Sequence, residues 1–201
     1  MILAIFKRGA KTDASGRSKP EELLRISRKY TLKKGKGYIV EDPQSAVSYD
    51  ILVNLLSTEE AGERLNGYIV SRQHPEQIKE KFGLENTPIT WLATQTGGNV
   101  LDPTSLGMLA HFVMDFLSKT KNGVVLLDGV EYLITNNDFK KVARILEQMN
   151  DSVMQHRGYL IIPIDPRAFD SKELAIIERN FEKICPGGGK PGLPDTESKR
   201  T

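Results

Sequence analysis

Residues 123–134 read Gly-Val-Val-Leu-Leu-Asp-Gly-Val-Glu-Tyr-Leu-Ile, and this stretch decides the fold class. The run from Gly123 to Leu127 is apolar, too short for a helix and rich in β-branched valine. A continuous apolar run of this length is typical of a strand that helices cover on both faces. Asp128 and Gly129 follow at once. The acid is therefore predicted at the carboxyl end of a central parallel strand, where open α/β sheets bind their ligands.

Short apolar runs alternate with helical patterns along the chain, which predicts a three-layer α/β sandwich with a mainly parallel sheet. Two strands open with the same residues, Gly-Tyr-Ile-Val, and flank one helix, so they are predicted to lie parallel in a βαβ unit. The predicted strands are 37–40, 67–70, 89–93, 123–127 and 158–164. The predicted helices are 45–56, 75–82, 104–118 (capped by Asp102-Pro-Thr), a long helix beginning at Asn137 or Asp138, and 171–183.

The composition is that of an ordinary soluble protein. The 201 residues are 39% hydrophobic and 27% charged, which is enough chain to bury a sizeable core. No apolar run approaches the roughly 20 residues of a membrane-spanning helix, and the run 1–6 is too short for a secretory signal. One cysteine, Cys185, excludes a disulfide framework and a cysteine-cluster metal site. We therefore predict a cytoplasmic protein without a membrane partner.

The charge is distributed unevenly along the chain. Residues 1–37 contain eleven Lys and Arg against three acids, whereas the whole chain carries a net charge of only +2. The remainder is therefore acidic, and this asymmetry indicates a basic arm attached to a mildly acidic body. We predict an arm at 1–36 with a short strand and a helix, a body at 37–184, and a flexible tail at 185–201 that is rich in Gly, Pro and charge.

Asp128 stands where nucleotide hydrolases hold a magnesium ion, but no phosphate-binding loop accompanies it. Such a loop needs Gly-x-x-x-x-Gly-Lys followed by Ser or Thr, because backbone amides and the lysine cradle the phosphates and the hydroxyl binds the metal. In residues 187–191 a proline replaces the hydroxyl, and residues 33–37 precede their strand instead of following it. We therefore predict that Asp128 is a buried structural residue.

The histidines and the cysteine are predicted to have structural or surface roles. His74 lies at a strand-to-helix junction and is predicted to bond to backbone, while His111 and His156 are predicted at the surface. No pair of histidines has the i,i+3 or i,i+4 spacing of a metal-binding helix. Cys185 is predicted as a thiol at the end of the last helix.

One alternative at the top of the sheet stays open. Asp165, at the carboxyl end of the fifth strand, is able in principle to meet Asp128 and Thr94, and paired carboxylates there would bind a cation. Asp165 is followed by Pro166, however, and Asp-Pro is also a common way to begin a turn.

The body contains a series of short motifs in a fixed order. They are Gly37-Tyr-Ile-Val40, Ser71-Arg-Gln-His-Pro-Glu76, Ile89-Thr-Trp-Leu92, Asp102-Pro-Thr104, Val124-Val-Leu-Leu-Asp-Gly-Val-Glu-Tyr-Leu-Ile134, Asn137-Asp-Phe139 and Pro163-Ile-Asp-Pro166. In these motifs, over about residues 37–184, the chain resembles the archaeal domain-of-unknown-function family 835. That family is similar to RecA-like ATPases of the KaiC type. The resemblance implies a RecA-like core that has lost its phosphate-binding loop, and it implies no activity, catalytic residue or cofactor.

The basic arm predicts the function. Its cations are interspersed with glycine and only two aromatic residues, which suits contact with a phosphate backbone better than stacking on bases. We predict a non-catalytic regulatory protein that binds nucleic acid, with RNA or the ribosome preferred over DNA. The body is then a scaffold for oligomerisation, as a homodimer, or for partner docking. The predicted nucleic-acid-binding residues are Lys7, Arg8, Lys11, Arg17, Lys19, Arg25, Arg28, Lys29, Lys33, Lys34 and Lys36.

Three alternatives compete with this prediction. In the first, the basic arm is only a solubilising extension. In the second, the protein is an enzyme or a nucleotide- or metal-responsive switch that uses the sheet top near Asp128. In the third, it is an interaction module that docks on a signalling protein or an ATPase, as RecA-like domains tend to.

Overall fold

A computed structural model describes residues 32–60 and 63–186. Nine strands and six α-helices alternate in these residues. The strands are β1 (Lys36–Glu41), β2 (Glu59–Glu60), β3 (Glu63–Arg64), β4 (Asn66–Ser71), β5 (Ile89–Leu92), β6 (Val100–Leu101), β7 (Gly123–Asp128), β8 (Tyr159–Ile164) and β9 (Glu182–Ile184). The helices are α1 (Ala46–Ser57), α2 (Pro75–Phe82), α3 (Leu106–Lys119), α4 (Val130–Asn136), α5 (Phe139–His156) and α6 (Ser171–Glu178).

Seven of the strands form one parallel sheet in the order β6-β5-β4-β7-β8-β1-β9. The strands β1 and β4, which share the sequence Gly-Tyr-Ile-Val, run parallel as predicted, and β7 and β8 lie between them. The central strands begin at the same level of the sheet, since the first residue of β1, Lys36, pairs with Tyr159 of β8, and the first residue of β4, Asn66, pairs with Gly123 of β7. Their amino ends therefore lie along one edge of the sheet and their carboxyl ends along the other.

Helices cover both faces of the sheet, which explains why its central strands are apolar without alternation. Side chains such as Val124 and Leu126 of β7 pack with Tyr49 and Ile78 of α1 and α2. On the other face, the neighbours of these strand residues pack against α3, α4, α5 and α6. The predicted three-layer α/β sandwich with a parallel sheet is confirmed. The origin of this fold in a degenerate RecA-like ATPase stays a prediction.

Several local predictions were wrong. The helix predicted at 171–183 ends at Glu178, because residues 182–184 add strand β9 beside β1. Two of the three β9 side chains are exposed, so no apolar period reveals this strand. The predicted cap Asp102 lies before α3, whose N-cap is Ser105; the Asp102 carboxylate accepts a hydrogen bond from the Thr104 amide (2.8 Å).

Three short elements were not predicted at all: α4, the edge strand β6 and the β2–β3 hairpin. Helix α4 follows directly on β7 because Gly129, with φ of 131°, turns the chain in a conformation that side chains rarely adopt. The predicted arm elements at 2–6 and 20–30 and almost all of the predicted tail lie outside the described residues, so the predicted domain boundaries stay predictions. Among the helices that are described, none has the length and apolarity needed to cross a membrane.

Candidate functional site

The carboxyl edge of the sheet is the natural place to look for a site, because parallel α/β sheets bind ligands there. Strands β7, β4 and β1 end at this edge, and Ser71 of β4 pairs directly with Asp128 of β7. The side chain of Asp128 is buried, with 8% of the residue exposed. Burial of a carboxylate is unfavourable unless hydrogen-bond donors surround it, and its surroundings therefore decide its role.

Four side chains of the protein itself donate hydrogen bonds to the Asp128 carboxylate. The Ser45 hydroxyl donates to Oδ1 (2.8 Å). Oδ2 accepts from the Tyr49 hydroxyl (3.1 Å), the Ser71 hydroxyl (2.9 Å) and the Gln73 amide (2.9 Å). The carboxylate thus joins the start of α1, the end of β4 and the loop before α2. This confirms the predicted structural burial of Asp128, in the form of a tie between elements.

Tyr49 is held in place from two sides. Its ring stacks on Phe82 of α2, with centroids 4.3 Å apart and planes 9° from parallel. Its hydroxyl reaches Asp128. Burial, and secondarily the Asp128 charge, raises the pKa of Tyr49 far above its usual range, so the phenol remains a proton donor. Helix α1 is therefore anchored to β7 through a phenol that keeps its proton at neutral pH.

The loop between β1 and α1 occupies the position that a phosphate-binding loop would take, between a strand and the amino end of its helix. Its four residues, Asp42 to Ser45, include neither glycine nor lysine. The buried Asp42 carboxylate accepts hydrogen bonds from the Ser48 amide (2.8 Å) and hydroxyl (3.1 Å). An acid of the chain itself thus takes the helix terminus that would attract a phosphate.

Glu131 lies beside Asp128 and was missed by the sequence analysis. It sits in the first turn of α4, and its Oε1 accepts a hydrogen bond from the Asp165 amide (2.7 Å). Burial, with smaller contributions from the charges of Asp128 and Asp165, raises the pKa of Glu131. Asp165 itself pairs with Arg167 (2.7 Å), which lowers the pKa of Asp165. The Asp165 carboxylate therefore bonds to Arg167, while its amide bonds to Glu131.

Other residues at this edge also bond within the chain. His74 is the N-cap of α2, and its Nδ1 accepts from the Glu76 amide (3.4 Å), which confirms the predicted backbone bond. The Trp91 indole donates to the Arg72 carbonyl (3.1 Å), and its ring meets His74 edge-on. A cleft of about 600 Å³ beside α2 has His74 and Trp91 among its lining residues, which do not include Asp128. Thr94 is exposed.

The remaining candidates lie apart from Asp128. His111 is exposed and His156 is half-buried at the end of α5, close to the prediction. Cys185 follows strand β9 instead of ending a helix, so that prediction was wrong. Burial and the neighbouring Glu41 raise the pKa of the Cys185 thiol, which disfavours the reactive thiolate. Within 32–60 and 63–186, no three His, Cys, Asp or Glu side chains are grouped to hold a metal ion.

Three of the eleven predicted nucleic-acid-binding cations belong to the described residues, and they lie at the opposite, amino edge of the sheet. The Lys33 side chain is exposed, and its amide donates to the Tyr38 hydroxyl (2.6 Å). Lys34 donates to the Asn122 side chain (2.9 Å), and Lys36 pairs with Glu182 (3.3 Å). The other eight lie outside the described residues: Lys7, Arg8, Lys11, Arg17, Lys19, Arg25, Arg28 and Lys29.

Comparison with known families gives a match. The family model described as a protein of unknown function, DUF835, matches residues 50–181. This range covers well over half of the chain and includes the larger part of α1 and all of β4, β7 and β8. Among curated proteins no match is found.

Replacing Asp128 by Asn is expected to destabilise the fold by about 1–3 kcal/mol. Asn has an NH2 group in place of one carboxylate oxygen, so the hydroxyl and amide groups that donated to that oxygen lose their acceptor. Urea unfolding curves would measure the change. The control is Asp151→Asn at an exposed position of α5, for which the expected change is within about 0.5 kcal/mol. Equal midpoints for the two variants would show that Asp128 is not a structural tie.

Replacing Glu131 by Gln is expected to make stability less dependent on pH. A carboxyl whose pKa is raised on folding stabilises the protein fully below its ordinary pKa, and this stabilisation is lost as pH rises through the raised value. The variant should therefore gain in melting temperature relative to the natural protein as the pH is raised from about 4 to 7. The exposed Glu80→Gln is the control. If both variants follow the natural protein's pH profile, Glu131 does not carry this effect.

Proposed function

The chain belongs to the DUF835 family of proteins of unknown function, and we propose that it is a non-catalytic protein that binds nucleic acid through its basic amino-terminal segment. RNA, including the ribosome, is preferred over DNA. The α/β body serves as the scaffold that carries this segment. Two observations together carry the proposal. The carboxyl edge of the sheet, where parallel sheets usually bind ligands, is filled by the chain's own side chains. The amino-terminal segment, in contrast, is strongly cationic.

The filled edge argues against nucleotide chemistry. Asp128 would have to release three hydroxyl donors and the Gln73 amide before its oxygens met a metal ion. Asp42, bonded at the start of α1, places a negative group where a phosphate would approach. Like charges at close range in a buried site disfavour binding strongly. The body therefore has the shape of a nucleotide-binding fold with a site that is closed by its own residues.

The charge distribution favours a polyanionic partner. Residues 1–31 contain eight Lys and Arg and three acids. Cations spaced along a segment neutralise successive phosphates and release counterions, which gives binding that is strong at low salt and insensitive to base sequence. The segment has one tyrosine and one phenylalanine, so stacking on bases contributes little.

The homodimer and the regulatory role belong to the same proposal. Two copies of the basic segment on one dimer would bind a long polyanion with higher avidity than one copy, without any new contact. Cytoplasmic location follows from an RNA partner. Sedimentation of the full chain at low and high salt is the measurement of the oligomeric state.

Adding magnesium and ATP is expected to leave the melting temperature unchanged, because the site at Asp128 is already filled. Differential scanning fluorimetry over ligand concentrations up to the millimolar range checks this. A ligand that binds only the folded state at 100 times its Kd would stabilise it by about 2.7 kcal/mol. A clear upward shift that disappears in Asp128→Asn would instead establish a nucleotide-responsive switch at the sheet top.

Binding to a fluorescein-labelled single-stranded RNA is expected to weaken steeply with salt and to be reduced when residues 1–31 are removed. If six to ten phosphates of the single strand are engaged, at a slope of about 0.7 per phosphate, the affinity should fall by roughly 300- to 16,000-fold between 50 and 200 mM salt. Fluorescence anisotropy measures both effects. The control truncation removes residues 187–201, which have nearly balanced charge. Unchanged binding after removal of 1–31, or binding that ignores salt, would refute the proposal.

A further inference from the structure

Four loops of the body meet at the amino edge of the sheet, beneath the ends of β1, β8, β7 and β4. The Gly35 amide donates to the Gly158 carbonyl (2.8 Å), which joins the segment before β1 to the turn before β8. The Asn66 amide donates to the Asn122 carbonyl (3.1 Å), which joins the starts of β4 and β7. The Lys34 ammonium donates to the side chain of Asn122. These bonds make the loops one continuous surface.

Five cations belong to this surface, and they come from three separate segments of the sequence. Lys33, Lys36, Lys121 and Arg157 are exposed, and Lys34 is half-buried. Lys36 pairs with Glu182, but both side chains remain about half exposed (48% and 57%). We name Lys33, Lys34, Lys36, Lys121 and Arg157 the amino-edge surface.

Glu182 of β9 lies next to Lys36 and bounds this surface on one side. The five cations belong to the segments that lead into β1, β8 and β7, which are neighbouring strands of the sheet. The opposite edge carries the buried acids Asp42 and Asp128, which accept hydrogen bonds within the chain.

Helix dipoles account for only part of the amino-edge surface. Arg157 follows the last residue of α5, where a cation complements the negative end of the helix dipole. Lys121 lies two residues beyond α3, and Lys33, Lys34 and Lys36 belong to the segment that leads into a strand. Lys34 and Lys36 also bond to Asn122 and Glu182. These contacts and the helix dipole leave Lys33 and Lys121 without a structural account.

The chemistry of the amino-edge surface favours phosphate over bases. The nearest tyrosines of the described strands, Tyr38 and Tyr159, are 5% and 1% exposed, so neither ring is available for stacking. Phe181 and Phe116, which lie against the glycines of β1 and β7 at this edge, are half-buried. A surface that offers mainly ammonium and guanidinium groups binds the backbone of a nucleic acid and does not distinguish its sequence.

We propose that the amino-edge surface is a second phosphate-binding footprint, on the folded body, that continues the basic amino-terminal segment along one RNA strand. The described chain begins at residue 32, directly before Lys33, so the basic segment joins the body at this surface. The RNA strand leaves the segment and crosses the body past Lys36, Arg157 and Lys121 in turn, in the order of the strands β1, β8 and β7. This inference rests on the proposed function and adds to it where on the body the RNA lies.

The test uses the full chain with two substitutions, Lys121→Gln and Arg157→Asn, both remote in sequence from the basic segment. Arg157 has φ of 54°, and Asn tolerates this left-handed conformation well, so the fold should be retained. The control with the same loss of charge is Lys140→Gln with Lys172→Gln, at exposed positions in the first turns of α5 and α6. Binding to two unrelated single-stranded RNAs of about 20 nucleotides, longer than a typical single-strand site, is measured against salt.

Loss of two phosphate contacts should reduce the slope of log affinity against log salt by about 1.4 and the affinity at 0.1 M salt by roughly 10- to 30-fold, equally for both RNAs. The control pair should change neither, and the Lys121/Arg157 variant should melt close to the natural chain, at most slightly lower because Arg157 complements the dipole of α5. Natural-like binding by the Lys121/Arg157 variant would overturn the footprint and leave the proposed function intact. The footprint would also be overturned if the Lys121/Arg157 variant melted at a lower temperature but bound RNA unchanged, because these cations would then act only in stabilising the helix ends. Failure of the natural chain to bind RNA would overturn both.

Discussion

The fold depends on one buried carboxylate and the need to satisfy it. Asp128 ends the central strand β7 with little access to water, and a carboxylate in that place is tolerated only where donors replace its hydration. The donors come from the start of α1 and from the end of β4 with the loop that follows it. Bringing them together sets how α1 sits on the sheet and how the connection after β4 turns. The same contacts that stabilise this end of the molecule also fill it.

The two edges of the sheet carry different charged groups and bond them differently. The carboxyl edge holds Asp128, Asp42 and Glu131 in hydrogen bonds within the chain. The amino edge carries lysines and an arginine in loops that bond mainly through their backbones. Proteins with a parallel sheet commonly use the carboxyl edge for ligands. In our proposal this use is reversed, since the carboxyl edge maintains the structure and the amino edge is the one proposed to meet a polyanion.

The sequence predicted the elements well and their pairing poorly. Continuous apolar runs located β7 and β8. Asn137 and Asp138 were the two predicted caps of α5, and the cap is Asp138, whose carboxylate accepts from the amides two and three residues away. Tyr49 and Gln73 were missed as partners of Asp128, because their proximity depends on strand order, which local patterns do not contain. Strands with few residues or polar faces, such as β9, arise from tertiary pairing that overrides local propensity.

The position of β1 has a consequence for how the protein is made. This strand is the first in the described chain, yet both of its neighbours, β8 and β9, come from the far end: residue 36 pairs with residue 159, and residue 38 with residue 182. During synthesis, Tyr-Ile-Val of β1 must remain without its sheet partners until nearly the whole body has been translated. Such long-range pairing slows folding and exposes apolar segments to aggregation. The sheet is therefore completed only after β9 has been synthesised, and among the described strands β1 stays accessible to chaperones for the longest time.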